Sequence, residues 1–382
     1  MTSRIDWVAQ SCRLLTAISA EFADTQPFAG LTIGTGIHLE PKTAALIMTL
    51  ARGGARIVAT GNLNTTQQET VDYLRERGID VIGGPTSDPV EHDAHLREVI
   101  AAEPDLLLDN GGDLFARYLE RPWAGLLGGT EETTSGRTRL APLRAELNLP
   151  ILVINDSPIK QFAENRHAVG QSVLESYLRI TNRSTGGKRV VVFGYGSCGQ
   201  GVAANFRNAY GLVTVIDTDP LKRLEANLDG FDVTAKDAAL RHADVVITVT
   251  GARDILLGTD LPLLKDDVVL MNAGHFPQEI DVPAFLGHDD VESVTDATEG
   301  LQTLRTRDGR RIHLATGGHM ANLAGPRPLG NSIESMDLGF ALQVRCLEAI
   351  ARGRVSADSV VVPVPRTIDE AVATAYLELV AG

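Results

Sequence analysis

Cysteine is scarce in this sequence. Cys12, Cys198 and Cys346 are spread through 382 residues with no spacing that suits a disulfide framework or a metal site, which points to a reducing, cytoplasmic setting and to no bound metal. Long apolar runs are also lacking. Nothing approaches the ~18 residues of a membrane span, and the opening MTSRIDWVAQ has no signal-peptide core. Basic residues are in deficit, 35 against 49 acidic for a net charge of −14. That argues against a nucleic-acid groove and for a small-molecule ligand. Neither repeats nor low-complexity segments occur. What is present is ordinary globular composition, 43% hydrophobic and 22% charged, in a chain long enough for two cored domains.

The first ~150 residues alternate apolar strand-like runs with amphipathic stretches. LTIGTGIHL, GARIVATG, GIDVIGG, DLLLDNGG and PILVIND each read as a strand ending in Gly, Asn or Asp. KTAALIMTLARGG and TTQQETVDYLRERG between them have helical spacing and a glycine stop. Such alternation predicts a parallel α/β sheet, with ligand-facing groups just past the strands' carboxyl ends. His38, Asn62, Asp109, Asn110 and Asp156 fall there. A second α/β unit starts at GGKRVVVFGYG and continues through GLVTVIDTD, ADVVITVTG, DDVVLMNAG and VESVTDAT. STGGK reads as a hinge before it, and ATGGHMANLAGPRPLGN as a second crossing back to a helical SIESMDLGFALQVRCLEAIARG. The expected architecture is two parallel-sheet α/β domains. A Rossmann domain, 168–325, is inserted in a discontinuous domain formed by 1–167 and 326–382.

Gly194, Gly196 and Gly199 form G-x-G-x-x-G directly after the apolar run Val190–Phe193, and Asp217 ends the next strand. The glycines permit a tight turn and close approach of a pyrophosphate, which the following helix amino terminus stabilises. Ser197 and Cys198 complete that turn. The carboxylate suits the adenosine ribose hydroxyls, so NAD is expected over NADP. A further stretch, INDSPIKQFAEN, sets Lys160 and Glu164 four residues apart, with Asn165 next. Taken alone, this spacing is that of a solvated ion pair on a helix.

From GIHLEPKTAALI and GNLNTTQQ, through LLLDNGGDL, EETTSGRTRL and NDSPIKQFAEN, to VTGARDILLG, LKDDVVLMNAGHFPQEIDV and HMANLAG, the chain resembles the S-adenosyl-L-homocysteine hydrolase family. The segments come in the family's order and spacing over nearly the whole chain. The resemblance implies a substrate domain in two segments around an NAD domain. It implies that Lys160 and the acid at 164 flank the 3′-hydroxyl of a nucleoside and assist its oxidation, where the family has an aspartate in place of Glu164. It implies that His38 handles protons near C5′, that Glu132 holds the ribose hydroxyls, and that Asn62 belongs to the substrate pocket. Thr133, Thr134, Ser135, Asn165, Thr250, Gly251, Ala273, Gly274, His275 and Asn322 are implied around the cofactor, His275 also as an active-site histidine. A homo-oligomer, dimer or tetramer, is the family habit.

Several pocket positions depart from the family. Asn110 stands where a second aspartate precedes Gly-Gly-Asp, and Glu40 and Lys42 replace the usual Thr and Glu or Gln after the histidine. Gly330-Asn331-Ser332 replaces Gly-His-Pro, and the carboxyl-terminal extension whose lysine and tyrosine close over a neighbouring subunit's NAD is not seen after VPVPRTIDEAVATAYLELVAG. Redox positions are kept while positions fitting homocysteine chemistry are changed. The expectation from sequence is therefore an atypical member. It would oxidise an adenine nucleoside, eliminate water across C4′–C5′ and reduce the ketone, as in a dehydratase forming angustmycin A. The alternative is S-adenosyl-L-homocysteine hydrolysis, and a third reading is a catalytically silent NAD- or nucleoside-binding regulator.

Overall fold

The computed structural model describes residues 3–381. Two compact units share the chain: residues 1–161 with 333–382, and residues 162–332.

The first unit is built on a seven-stranded sheet. Its strands are β1 (Thr32–Ile37), β2 (Arg56–Gly61), β3 (Asp80–Ile82), β4 (Leu106–Asp109), β5 (Gly128–Glu131) and β6 (Ile151–Val153), followed after the second unit by β15 (Val362–Pro363). The order is β15-β6-β5-β4-β1-β2-β3, parallel throughout. Strand order reverses between β4 and β1, so the carboxyl ends of those strands flank the crevice where parallel α/β sheets take ligands. The helix Ile333–Ala351 carries a nearly continuous buried run from Met336 to Leu347 and packs against β4 and β5.

In the second unit the strands are β7 (Arg189–Phe193), β8 (Leu212–Ile216), β9 (Asp232–Val233), β10 (Val245–Thr248), β11 (Val268–Asn272), β12 (Val291–Thr298), β13 (Leu301–Thr306) and β14 (Arg311–Ala315). Their order is β12-β13-β14-β11-β10-β7-β8-β9. The runs VVVF, VVIT and VVLMN are buried on both faces, as a helix-covered parallel sheet requires. Alternate residues serve opposite cores: Val190 and Val192 join one cluster with Tyr177 and Phe206, Val191 and Phe193 another with Leu256 and Phe285. The sheet is not wholly parallel. VESVTDAT, expected as one more parallel strand, is the antiparallel edge strand β12, paired to β13, which in turn pairs antiparallel to β14. Here strand order reverses between β7 and β10, the position at which a dinucleotide sits in such folds.

Among the described residues, no helix is long and apolar enough to cross a membrane, and no group of His, Cys, Asp and Glu is arranged to hold a metal.

Candidate active site

Four of the first unit's expected residues converge at the carboxyl edge of its sheet. Asn110 follows β4 and Glu132 follows β5, placed side by side by the pairing Asp109↔Glu131. Asn110 Nδ2 donates to Glu132 Oε2 at 2.8 Å, and Asn62, following β2, donates through Nδ2 to Asn110 Oδ1 at 2.9 Å. Lys160 Nζ lies 3.0 Å from Glu132 Oε1, both side chains being over nine-tenths buried. Burial alone would raise the Glu132 pKa. The Lys160 ammonium, the Asn110 amide and the nearby His38 outweigh it and hold the carboxyl below its ordinary value. His38 follows β1, is half-buried, and its Nδ1 lies 2.6 Å from Thr65 Oγ1. The ring thereby has one nitrogen committed to a hydroxyl.

Glu40 and Lys42 form a second buried ion pair at 2.7 Å, their side chains 6% and 4% exposed. Burial pushes Glu40 up and Lys42 opposes it. A charged pair this deep carries a desolvation cost that offsets much of its attraction, so it is weak evidence of stabilisation.

Asp109, expected at the ligand face, is turned inward. Its carboxylate accepts the backbone N–H of Asn110, Asp113 and Phe115, tying down the start of the helix Asp113–Glu120. Burial and the neighbouring Asp113 push it up to about 6. Asp156 lies 3.4 Å from Arg137, as an ion pair, and not with the Glu132 group. One position missed from sequence is Glu131. It is fully buried and accepts from Gly111 N (3.0 Å), Gly112 N (2.9 Å), and Thr133 N and Oγ1 (both 2.7 Å). Gly111 and Gly112 have φ of 96° and 72°, a conformation that favours glycine, and their N–H groups both point to Glu131. Its carboxylate thus joins the turn bearing Asn110 to the turn bearing Glu132. Thr133, exposed Thr134 and Ser135 lie on this second turn, with Thr133 Oγ1 at 2.9 Å from Ser135 Oγ and capping the helix Thr134–Leu140.

Burial and Asp109 push Glu131 up to about 8. A raised carboxyl means the folded chain keeps a proton that the unfolded chain loses above about pH 4.3, so stability falls as pH rises toward 8. Denaturant titrations from pH 5 to 8 should show that decline, at most about 1.4 kcal/mol per pH unit for one proton. Glu131→Gln, which carries no titrating proton, should flatten it. A profile unchanged by the substitution would remove Glu131 as the source.

In the second unit, the glycine turn follows β7. Gly194 has φ 101°, and a Cβ there would lie 2.7 Å from Val249 O, at the exit of β10. A Cβ on Gly199 would lie 2.0 Å from Gly194 O, so the turn closes directly onto the helix Ser197–Asn208. Gly196 is exposed with nothing within 4 Å of its absent Cβ, and the same holds for Gly251. Half-buried Ser197 and Cys198 open the helix. Asp217 directly follows β8, its two oxygens accepting Tyr195 N at 2.7 Å and Asp219 N at 2.9 Å. A carboxylate carries about four lone-pair sites, so acceptor capacity remains for ribose hydroxyls. Asp217→Asn should weaken the preference for NAD over NADP severalfold or more, read from the two dissociation constants, and also loosen the turn, because one of the two backbone N–H groups loses its acceptor.

Thr250 and Gly251 follow β10 and are held by buried Glu279, which accepts both backbone N–H groups and the Thr250 hydroxyl at 2.7–2.9 Å. Ala273, Gly274 and His275 follow β11, shaped by fully buried Asn272, whose Nδ2 donates to Gly274 O, Phe276 O and Gly318 O. The His275 ring packs edge-on against Phe276. Lys160, Glu164 and Asn165 lie on a π-helix, Lys160–Ala168, rather than an α-turn, with Lys160 in the first unit and Glu164 and Asn165 in the second. Glu164 is 6% exposed and receives Asn331 Nδ2 at 3.5 Å. Asn322 is buried, and its Oδ1 accepts no hydrogen bond. The open face at Gly196 and Gly251, the carboxylate at 217 and a buried unpaired acceptor at 322 fit a dinucleotide with a carboxamide-bearing ring.

The family signature described as "S-adenosyl-L-homocysteine hydrolase, NAD binding domain" matches residues 165–327, and that described as "S-adenosyl-L-homocysteine hydrolase" matches residues 3–122. The chain belongs to the S-adenosyl-L-homocysteine hydrolase family. Among its relatives, the S-inosyl-L-homocysteine hydrolase of Methanopyrus kandleri is 39% identical, covering 98% of this chain and 89% of the relative. The adenosylhomocysteinases of Thermotoga maritima and Archaeoglobus fulgidus are each 36% identical, covering 98% of this chain and 93% of the relative. The family is NAD-dependent, and the second unit carries its NAD-binding domain. The atypical subtype expected from sequence gains no support from these relatives, whose names are those of the hydrolases.

Proposed function

We propose that this member of the family is an NAD-dependent hydrolase of purine nucleoside thioethers of homocysteine, S-adenosyl- or S-inosyl-L-homocysteine. The observation that carries this reading is the buried Lys160–Glu132–Asn110 set at the sheet's carboxyl edge, in a chain related over nearly its whole length to hydrolases of both names. Glu132, held ionised by Lys160, would accept hydrogen bonds from ribose hydroxyls. Lys160, after its ammonium proton is given up to solvent on substrate binding, would take the 3′-hydroxyl proton as the free amine, supported by Glu164, and return it at the end of turnover. Bound NAD would supply reversible oxidation at the 3′-carbon, which makes the C4′ proton acidic; it would be held by the 194–199 turn, Asp217, Asn165, Thr250, Gly251, the 273–275 loop and Asn322. His38 would protonate the group leaving C5′ and then remove a proton from the entering water.

Asn110 favours a second reading. Its amide bridges Glu132 and Asn62 and cannot act as a general base, so addition of water at C5′ is deprived of one candidate group. Reduction before hydration would give net dehydration of an adenine nucleoside to a 4′,5′-unsaturated product. Both readings are tested by mass spectrometry in water enriched with heavy oxygen. Purified protein is given S-adenosyl- and S-inosyl-L-homocysteine, adenosine and psicofuranosyl adenine in parallel. Thiol release with label at C5′ is the expected result. An unsaturated nucleoside lighter by one water would establish the second reading, and turnover of none, with NAD bound, would leave the silent regulator. We further propose that the protein is cytoplasmic and a homo-oligomer; sedimentation of the purified protein would test the oligomer, and cell fractionation the location.

A further inference from the structure

Ser172 belongs to none of the motifs above, yet it sits at the centre of a buried network in the second unit. It lies on the helix Val169–Thr181 and is 4% exposed. Its Oγ is 3.1 Å from Val169 O, 3.1 Å from Asn331 Oδ1 and 3.2 Å from Asn322 Nδ2. A serine hydroxyl has one proton and two lone pairs. Two acceptors already compete for that proton, so toward Asn322 the hydroxyl can only accept. This fixes the Asn322 side chain: Nδ2 faces Ser172, and Oδ1 faces the other way, buried and without a hydrogen bond. The far end of Asn331 donates to Glu164 Oε1 at 3.5 Å. The chain Asn322–Ser172–Asn331–Glu164 therefore has a single hydrogen-bond polarity throughout, set where three groups meet on Ser172.

We propose that Ser172 is a specificity-determining residue for the nicotinamide carboxamide: by holding Asn322 Nδ2, it presents Asn322 Oδ1 as an acceptor for the carboxamide N–H2. The inference rests on the reading of Asn322 as a cofactor residue. Without the Ser172 hydroxyl, nothing in the network opposes rotation of the Asn322 amide, which could then offer Nδ2 to a carbonyl oxygen instead. Ser172 is a positioning residue, acting through Asn322.

The test compares two dinucleotides on the full chain freed of nucleotide. NAD carries the carboxamide; 3-acetylpyridine adenine dinucleotide carries a methyl ketone, with the same carbonyl and no N–H. Binding of each is measured by titration calorimetry, independently of turnover. The unsubstituted protein should prefer NAD about tenfold or more, the worth of one buried hydrogen bond and of the acceptor it would leave unpaired. Ser172→Ala should bring the ratio of the two affinities close to one, while Ser172→Thr, which keeps the hydroxyl, should retain the preference. Thermal melting of each variant confirms that it is folded. A Ser172→Ala ratio equal to that of the unsubstituted protein would overturn the proposal, as would an equal loss in the alanine and threonine variants, which would trace the effect to packing. An unsubstituted protein with no preference would remove Asn322 from the carboxamide, and with it this inference, while leaving NAD binding and the hydrolase reading untouched.

Discussion

Lys160→Met should reduce formation of bound NADH on substrate addition by about 10²–10⁴-fold, the range a positioned acid–base group supplies. Methionine keeps the length and apolar stem of lysine and removes only the ammonium. The same substitution leaves Glu132 buried without its partner, and breaking such a pair costs roughly 3–5 kcal/mol. The sign of the pH dependence follows from the depressed Glu132 pKa. A carboxyl held below its unfolded value contributes stability above about pH 4.3, lost as pH falls through the folded value. The stability gap between Lys160→Met and the unsubstituted protein should therefore be widest near neutrality and close in acid. Absorbance of NADH gives the first readout and denaturant titration the second. Normal NADH formation with a full-sized stability gap would make the pair structural and refute its role in oxidation.

Gly199→Ala should nearly abolish dinucleotide binding and also destabilise the second unit. Its Cβ would lie 2.0 Å from the Gly194 carbonyl oxygen and 2.7 Å from the carbonyl carbon, backbone atoms that cannot swing away. The turn must open, at an overpacking cost of about 1–3 kcal/mol or more. Because the pyrophosphate is to be held by this turn, NAD affinity should fall about a hundredfold. Gly196→Ala is the paired control. Its Cβ meets nothing within 4 Å, so the melting temperature should hold while binding falls, because only a ligand occupies that space. If both variants bind NAD normally, the pyrophosphate does not lie on this turn.

Much of the second unit was legible in the sequence because its signals are local. VVVF, VVIT and VVLMN are β-branched runs bounded by glycine or aspartate, and the glycine fingerprint needs only neighbours in sequence to be recognised. The strand β5 was not legible. Its sequence, GGTE, has almost no β propensity; Gly128 and Gly129 are there because a Cβ would lie 2.4 Å from Pro150 O or 2.0 Å from Leu107 O, a tertiary demand. The antiparallel edge was partly legible, since Asp308-Gly309 between β13 and β14 is a hairpin signal, but strand direction does not show in the periodicity of β12. Lys160 and Glu164 have the spacing of one α-turn, and nothing in KQFAENRHA announces a π-helix. In the site, Asn62, Asn110, Glu132 and the 194–199 turn were found at the carboxyl edges of the sheets. Glu131, Glu279 and Ser172 escaped notice because charge and hydroxyl read as surface until the donors and acceptors around them are known.

The division of the first unit between residues 1–161 and 333–382 also has a consequence during synthesis. The helix Ile333–Ala351, which packs against β4 and β5, is made only after the whole second unit has been synthesised. At roughly 5–20 residues per second, the nascent first segment waits on the order of 10–30 s with that sheet face uncovered. The unit that begins second is thus complete first. Until the last fifty residues arrive, the early strands lack their covering helix, and uncovered apolar surface of that kind is what makes an incomplete chain prone to aggregate.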